Sequence, residues 1–198
     1  MEQPALGQFL KDVENHQLTV NLDNGVYRDI TIANPNTMCM HYNITTRPGY
    51  LIFTGDMGSY VFSRTNDMFG FFRDKDIYEI NPYYWSEKIQ AGEYKRYSPQ
   101  AARDALNQEF ENWKEWLDED VSQDFILEEK ENLDAIDTDD YFELVEAIRN
   151  WCPNKGGVLL DDFWEHNLNE HTFHFIWCCY AIVHAIKLYD EYKLSEVA

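Results

Sequence analysis

From residue 17 to residue 64 apolar and polar side chains alternate with a period of two, and beyond residue 67 the spacing becomes helical. In LTVNLDNGVYRDITI, Leu18, Val20 and Leu22 alternate with polar residues, and Ile30 and Ile32 resume the alternation. Asn24-Gly25 between them carries the signal of a type I′ turn, so the stretch predicts a β-hairpin. MCMHYNITT alternates again, placing Met38, Met40, Tyr42 and Ile44 on one face and Cys39, His41 and Asn43 on the other. Arg47-Pro48-Gly49 turns the chain into YLIFT, and Gly55-Asp56-Met57-Gly58 turns it into SYVFSR. Five strands joined by short turns predict an antiparallel meander, because so short a connection can only return the chain beside the strand it left.

The remainder reads as helix. Asn66 or Asp67 is placed to cap MFGFFR, Pro82 opens YYWSEKIQ, and Ser98-Pro99 starts a long helix with proline in its first turn. Within that helix Phe110, Trp113, Leu117 and Val121 recur at helical spacing. TDDYFELVEAIRNW is a further amphipathic helix, and an apolar helix over 172–192 closes the sequence. Strands first and helices after define an α+β fold, with about five antiparallel strands packed against C-terminal helices. We expect one domain over 1–198, mainly β over 17–64 and mainly α over 67–192.

Charge changes this picture. The 198 residues carry 36 acids against 16 bases, a formal charge of -20 and a pI near 4.5. Such a chain repels nucleic acid and anionic membrane and attracts basic surfaces. The imbalance is local: 17 acids and only Lys114 and Lys130 lie between Asp104 and Glu146, a net of -15. Ordinary solvated helix faces mix both signs. This one nearly lacks bases, which points to a negative surface fitted to a basic groove, with Glu111, Glu115, Asp118, Glu119, Asp120, Glu128, Glu129, Asp137, Asp139 and Asp140 as its partner-binding residues. The bland alternative is a surface that only keeps the protein in solution.

The start, MEQPALGQFLKDVE, has no basic segment followed by an apolar core, so no signal peptide is expected. The most apolar run, Phe173 to Ile186, is interrupted by His174 and His184 and is shorter than the roughly 20 residues that cross a bilayer. Cys39, Cys152, Cys178 and Cys179 form no CxxC pair and predict reduced thiols in a cytoplasm, with no disulfide.

Two smaller constellations carry candidate chemistry. His171, His174 and Cys178 fall at i, i+3 and i+7, a spacing that puts them on one helix face, and His166 could complete a zinc set. The surrounding residues are apolar on every side and no second cluster exists, so no metal and no cofactor are expected. Asp56, set between Gly55 and Gly58, reads first as a turn residue bonded to its own turn. The competing reading makes Asp56, with His41 and Arg64, a ligand or catalytic site on the sheet. No Walker loop, dinucleotide fingerprint, HExxH or GxSxG occurs. The tryptophans Trp113, Trp116, Trp151, Trp164 and Trp177 have no arginines beside them and read as core or interface anchors rather than as a stacking platform for nucleic acid.

GDMGSYVFSR followed by DMFGFF resembles a family of small proteins encoded by bacteriophages, prophages and plasmids, over residues 17 to 90. The resemblance transfers no catalytic residue. It implies a mobile element acting in the cytoplasm of a bacterial host, a setting in which acidic proteins often serve against host defence. The expectation is therefore a non-enzymatic protein that binds and inhibits a host nucleic-acid-binding or defence protein, as a nucleic-acid (DNA) mimic, with no direct binding of nucleic acid or membrane. A homodimer formed through exposed aromatic residues is a third reading.

Overall fold

The structure, a computed structural model, describes residues 3–73, 78–118, 120–154 and 156–197, the side chain of residue 197 excepted. Five strands follow one another as the alternation predicts: β1 (Gln17–Asn24), β2 (Tyr27–Asn34), β3 (Thr37–Arg47), β4 (Tyr50–Gly55) and β5 (Gly58–Ser63). A short sixth strand, β6 (Ile89–Ala91), pairs with β5 and completes an antiparallel sheet in the order of the sequence. The hairpin turn sits one residue later than Asn24-Gly25. Asn24 pairs with Tyr27, so Gly25 and Val26 are the two central residues. Only Gly25, at φ +63°, is left-handed there, which is the requirement of a type II′ turn and not of type I′.

One sheet face is buried. Ile30 and Ile32 of β2, Tyr42 and Ile44 of β3, Leu51 and Phe53 of β4, and Tyr60 and Phe62 of β5 point into a single core. Against them lies α7 (Phe173–Val197), whose Phe175, Trp177, Cys178, Cys179, Ala181, Ile182 and Ala185 are fully buried. Tyr42 stacks on Phe53 and meets the edge of Trp177, the offset and edge-on arrangements that ring quadrupoles favour. The helices α1 (Leu6–Asp12) and α2 (Met68–Phe72) add Phe9, Met68, Phe69 and Phe72 to this core, and α3 (Pro82–Ser86) adds Trp85. Asp67 is the cap of α2, accepting from the Phe69 N–H at 3.0 Å. Its carboxylate also takes both terminal nitrogens of the buried Arg28 of β2, at 2.8 and 3.1 Å. The opposite sheet face is polar, and hydrogen bonds tie it together through Asn21, Asp29, Thr31, Asn43 and Thr45.

Of the two methionines, Met38 departs from the expected face, while Met40 still packs against the core. Met38 is exposed, and Met40 adopts φ +58°. The alternation is broken there, and Tyr42, Ile44 and Thr46 supply the buried side of β3.

The chain divides into two compact units where one core was expected: residues 1–95 with 171–198, and Arg96–Glu170. The apolar stripes of the middle helices bury against each other, so they make a core of their own. In α4 (Pro99–Glu115) these are Ala102, Ala105, Leu106 and Phe110; in α5 (Gln123–Asp134) Leu133; in α6 (Tyr141–Arg149) Leu144 and Ile148. Val158, Leu160 and Phe163 from the following loop and 3₁₀ turn close it. Helix α4 ends at Glu115, so Leu117 and Val121 lie outside it. Ser98, Ser122 and Asp140 cap the three helices. The chain enters and leaves this second unit through two short paired strands, β7 (Lys95–Tyr97) and β8 (Asn169–His171).

Candidate functional site

The unit Arg96–Glu170 holds 21 acids and six bases, a net of -15 in a chain of net -20. Every described base in it already faces an acid of the same unit. Arg96 pairs with Glu170 at 2.7 Å, Lys114 with Glu111 at 2.9 Å, and Lys130 with Asp134. Arg149 lies 3.8 Å from Glu146, and Arg103, 3.9 Å from Asp134, donates to the carbonyls of Leu133 and Ile136 at the end of α5. The described cations of the unit thus face acids of the unit itself, while exposed carboxylates at Glu115, Asp118, Asp120, Asp124, Glu131, Asp139, Glu143, Asp161 and Asp162 meet no described cation. On α4, Asp104, Glu111 and Glu115 fall at i, i+7 and i+11, the stripe opposite Ala102, Leu106 and Phe110.

Beside this ridge the unit opens a groove of about 620 Å³. One wall is the last turn of α4 and the segment after it, with Asn112, Trp113, Trp116, Leu117, Asp118 and Val121. The other is the loop carrying Asn154, Gly156, Gly157, Leu159 and Asp162. Trp113 is locked, its indole N–H donating to the Gly156 carbonyl at 3.0 Å. Trp116 is not: it is 88% exposed, and Leu159 across the groove is 63% exposed. Glu109, also in the lining, is engaged by the His166 ring.

Glu129 corrects the partner-binding set. Far from lying on the acidic surface, it is fully buried. One carboxylate oxygen accepts from the Val158 N–H at 3.0 Å and the other from the Asn154 amide at 2.9 Å. The backbone of Gly157 passes so close that a Cβ there would strike the carboxylate. Trp151 adds a bond from its indole N–H to the Val158 carbonyl at 2.8 Å. Glu129 faces inward because the Val158 N–H is brought into the core without a backbone acceptor, and buried donors require acceptors. Two further members of the set hold local backbone: Asp140 caps α6 by accepting from Phe142 and Glu143, and Asp137 accepts from the Asp139 N–H. Both remain exposed, as do Glu111, Glu115, Asp118, Asp120, Glu128 and Asp139. Glu119 lies outside the described residues.

On the sheet, His41 and Asp56 do come together, with Nδ1 3.1 Å from Oδ1. Arg64 does not join them. It is exposed just past the far end of β5, about 20 Å along the strand at 3.3 Å per residue. The carboxylate of Asp56 reaches across to β3 and not to its own turn: its other oxygen accepts from the Met40 N–H at 2.7 Å, and its backbone N–H donates to the His41 carbonyl at 3.1 Å. The His41 ring also faces the Met38 carbonyl at 2.8 Å. Gly55 is there because a Cβ would collide with the His41 carbonyl and Tyr42 Cα, and Gly58 because φ is +106°. These contacts fix the irregular segment around left-handed Met40.

The histidine and cysteine constellation separates. His171 belongs to β8, ahead of the helix, and is buried; His174 is exposed; Cys178 is buried and donates to the Met57 carbonyl at 3.6 Å. They do not share a face, since α7 starts only at Phe173. Burial pushes the thiols of Cys178 and Cys179 well up, which disfavours the thiolate a metal needs. Among the described residues no group of three or more His, Cys, Asp or Glu side chains is placed to hold a metal ion, the four cysteines are unbridged, and no helix is long and apolar enough to cross a membrane.

Comparison of the chain with protein-family models, with curated proteins and with solved structures gives no match.

Proposed function

We propose that the protein acts by binding, not by catalysis, and that its acidic unit occupies the basic nucleic-acid-binding surface of a partner protein in place of the nucleic acid. The observation that carries this reading is the internal use of every described cation in Arg96–Glu170. Neutralising pairs remove the bases from the outward field and leave the excess carboxylates to act together. A compact unit of net -15 costs folding free energy through self-repulsion, so an array of this kind is retained where a partner uses it. Glu115, Asp124, Glu131 and Glu143 stand on capped helices and so give the surface a preorganised part, which lowers the ordering cost on association. The resemblance of residues 17–90 to proteins of phages, prophages and plasmids supplies the setting: a bacterial cytoplasm, with a defence or DNA-processing protein of the host as partner.

The test uses the tagged full-length protein as bait in a bacterial lysate. Captured proteins should be released by raising salt and displaced by duplex DNA or RNA, since counterion-dependent association weakens with ionic strength. Capture that neither salt nor nucleic acid disturbs would sink the reading.

A further inference from the structure

We infer that the groove between the end of α4 and loop 154–162 receives arginine from a basic segment of the partner, with the guanidinium stacked on Trp116 and flanked by Asp118 and Asp162. The inference rests on the proposed polyanion role of the unit and names the chemistry that would give it specificity.

The argument begins with Trp116. Aromatic side chains of this size dominate cores and interfaces, and one left 88% exposed at the mouth of a groove is available for an incoming group. Its surroundings decide which group. The described lining holds three carboxylates, Glu109, Asp118 and Asp162, and no lysine or arginine. Since Glu109 is held by His166, Asp118 and Asp162, both exposed, are left to face an occupant. A purely apolar occupant would have to desolvate those carboxylates without replacing their hydrogen bonds, at a cost. An anion would be repelled. A cation with a planar, weakly hydrated face meets both demands, stacking on the indole while its edge N–H groups reach carboxylate oxygens. Guanidinium has that shape. The lysine ammonium does not, because it is compact and strongly hydrated and makes the poorer stacking partner.

The walls are already set for such an occupant. The Trp113 indole bonds Gly156, the Trp151 indole bonds Val158, and Glu129 holds Val158 and Asn154 from beneath. Asn154, Gly156 and Val158 of that wall are therefore anchored before anything binds. A volume of about 620 Å³ also exceeds what one side chain fills, so a short segment carrying its arginine fits better than an isolated residue.

The experiment measures the full-length protein against two peptides of equal length and charge, one arginine-rich and one lysine-rich, by fluorescence anisotropy at low salt. The arginine peptide should bind roughly three- to tenfold more tightly, the range a cation–π contact supports. Trp116→Ala should remove that preference while leaving affinity for the lysine peptide within about twofold, because the charge field remains. Asp162→Asn should weaken the arginine peptide more than the lysine peptide. Equal binding of both peptides by the wild-type protein, or an arginine preference that survives Trp116→Ala, would overturn the arginine site and leave the polyanion reading standing. If neither peptide bound at low salt, both would fall. Self-association lost on Trp116→Ala, with no arginine preference, would assign the groove to a second copy of the chain instead.

Discussion

The carboxylate of Glu129 accepts the backbone N–H of Val158 at 3.0 Å, 29 residues along the chain and out of contact with water. An acid from the most charged stretch of the sequence is thus an internal strut of the unit whose surface its neighbours charge.

Glu129→Ala should therefore destabilise the acidic unit by about 1–3 kcal/mol, the cost of leaving a buried N–H without its acceptor. Hydrogen exchange at Val158 and through α5 should accelerate, while amides of the six-stranded sheet keep their protection. Unchanged exchange at Val158 would remove Glu129 from this role.

The Asp56 contacts predict a division between side chain and backbone. Asp56→Asn keeps an oxygen able to accept from Met40, so stability should change by less than about 0.5 kcal/mol, as at most surface positions. Gly58→Val places a β-branched residue at φ +106° and should cost about 1–3 kcal/mol. Urea unfolding of the two variants measures both. A well-folded Asp56→Asn protein that had lost binding to its partner would transfer function to the sheet.

Charge reversal at Glu111, Glu115, Asp118 and Asp120 together should weaken partner binding at least tenfold and leave the fold intact. All four are exposed, and none contributes to the apolar cluster of the unit. The loss should appear mainly in the association rate and should shrink as salt rises, because exposed charges steer encounter more than they hold a complex. Circular dichroism and binding kinetics at two salt concentrations check this.

The buried pair of Tyr42 and His184 sets a pH dependence. Burial, with Lys187 and His16 nearby, lowers His184 from its ordinary 6.5 to about 4. Its Nδ1 lies 2.7 Å from the Tyr42 hydroxyl, whose own pKa burial raises, so a protonated phenol donates to a neutral ring. A histidine depressed in the fold takes up its proton first in the unfolded chain. The stability it contributes is complete above about pH 6.5 and is lost as pH falls toward 4, at about 1.4 kcal/mol per unit and roughly 3 kcal/mol in all. His184→Gln should flatten the stability profile over that interval by this amount, measured by unfolding at stepped pH. A slope identical to wild type would mean that His184 takes up its proton equally in the folded and unfolded protein.

Much of the sheet could be read from the sequence because each strand buries one face. Ile30, Ile32, Tyr42, Ile44, Leu51, Phe53, Tyr60 and Phe62 keep the period of two that a half-buried sheet imposes. β6 escaped because three residues carry no period. The second core escaped for a different reason. A helical stripe such as Ala102, Leu106 and Phe110 shows that a face is buried but not against what. At the site, Glu129 was invisible because an acid within an acidic run looks solvated, and only the loop it bonds reveals otherwise. From the sequence alone Trp116 is indistinguishable from its fellow tryptophans and reads, like them, as an anchor. Trp177 is fully buried, Trp113 and Trp151 are tied to backbone carbonyls, and Trp116 alone among the three on its unit's groove and loop stands free. The reason is local: α4 ends one residue before it, so the helical spacing that aims Trp113 inward no longer applies.

The paired strands β7 and β8, with Arg96 held by Glu170 at 2.7 Å, have a consequence for the order of folding. In sequence order, residues 96–170 separate the six strands of the sheet from α7. As a random coil, they would make the docking of α7 a closure over about 75 residues. Once the insert has folded, its two ends meet, and the same closure spans only a few. Because closure entropy grows with the logarithm of loop length at about 0.6 kcal/mol per doubling, the difference is worth about 2 kcal/mol. The acidic unit would then act as a clasp that lets the first core form. In pulse-labelled refolding, amides of α4 to α6 should gain protection no later than those of α7, and the reverse order would show that the sheet recruits its helix unaided.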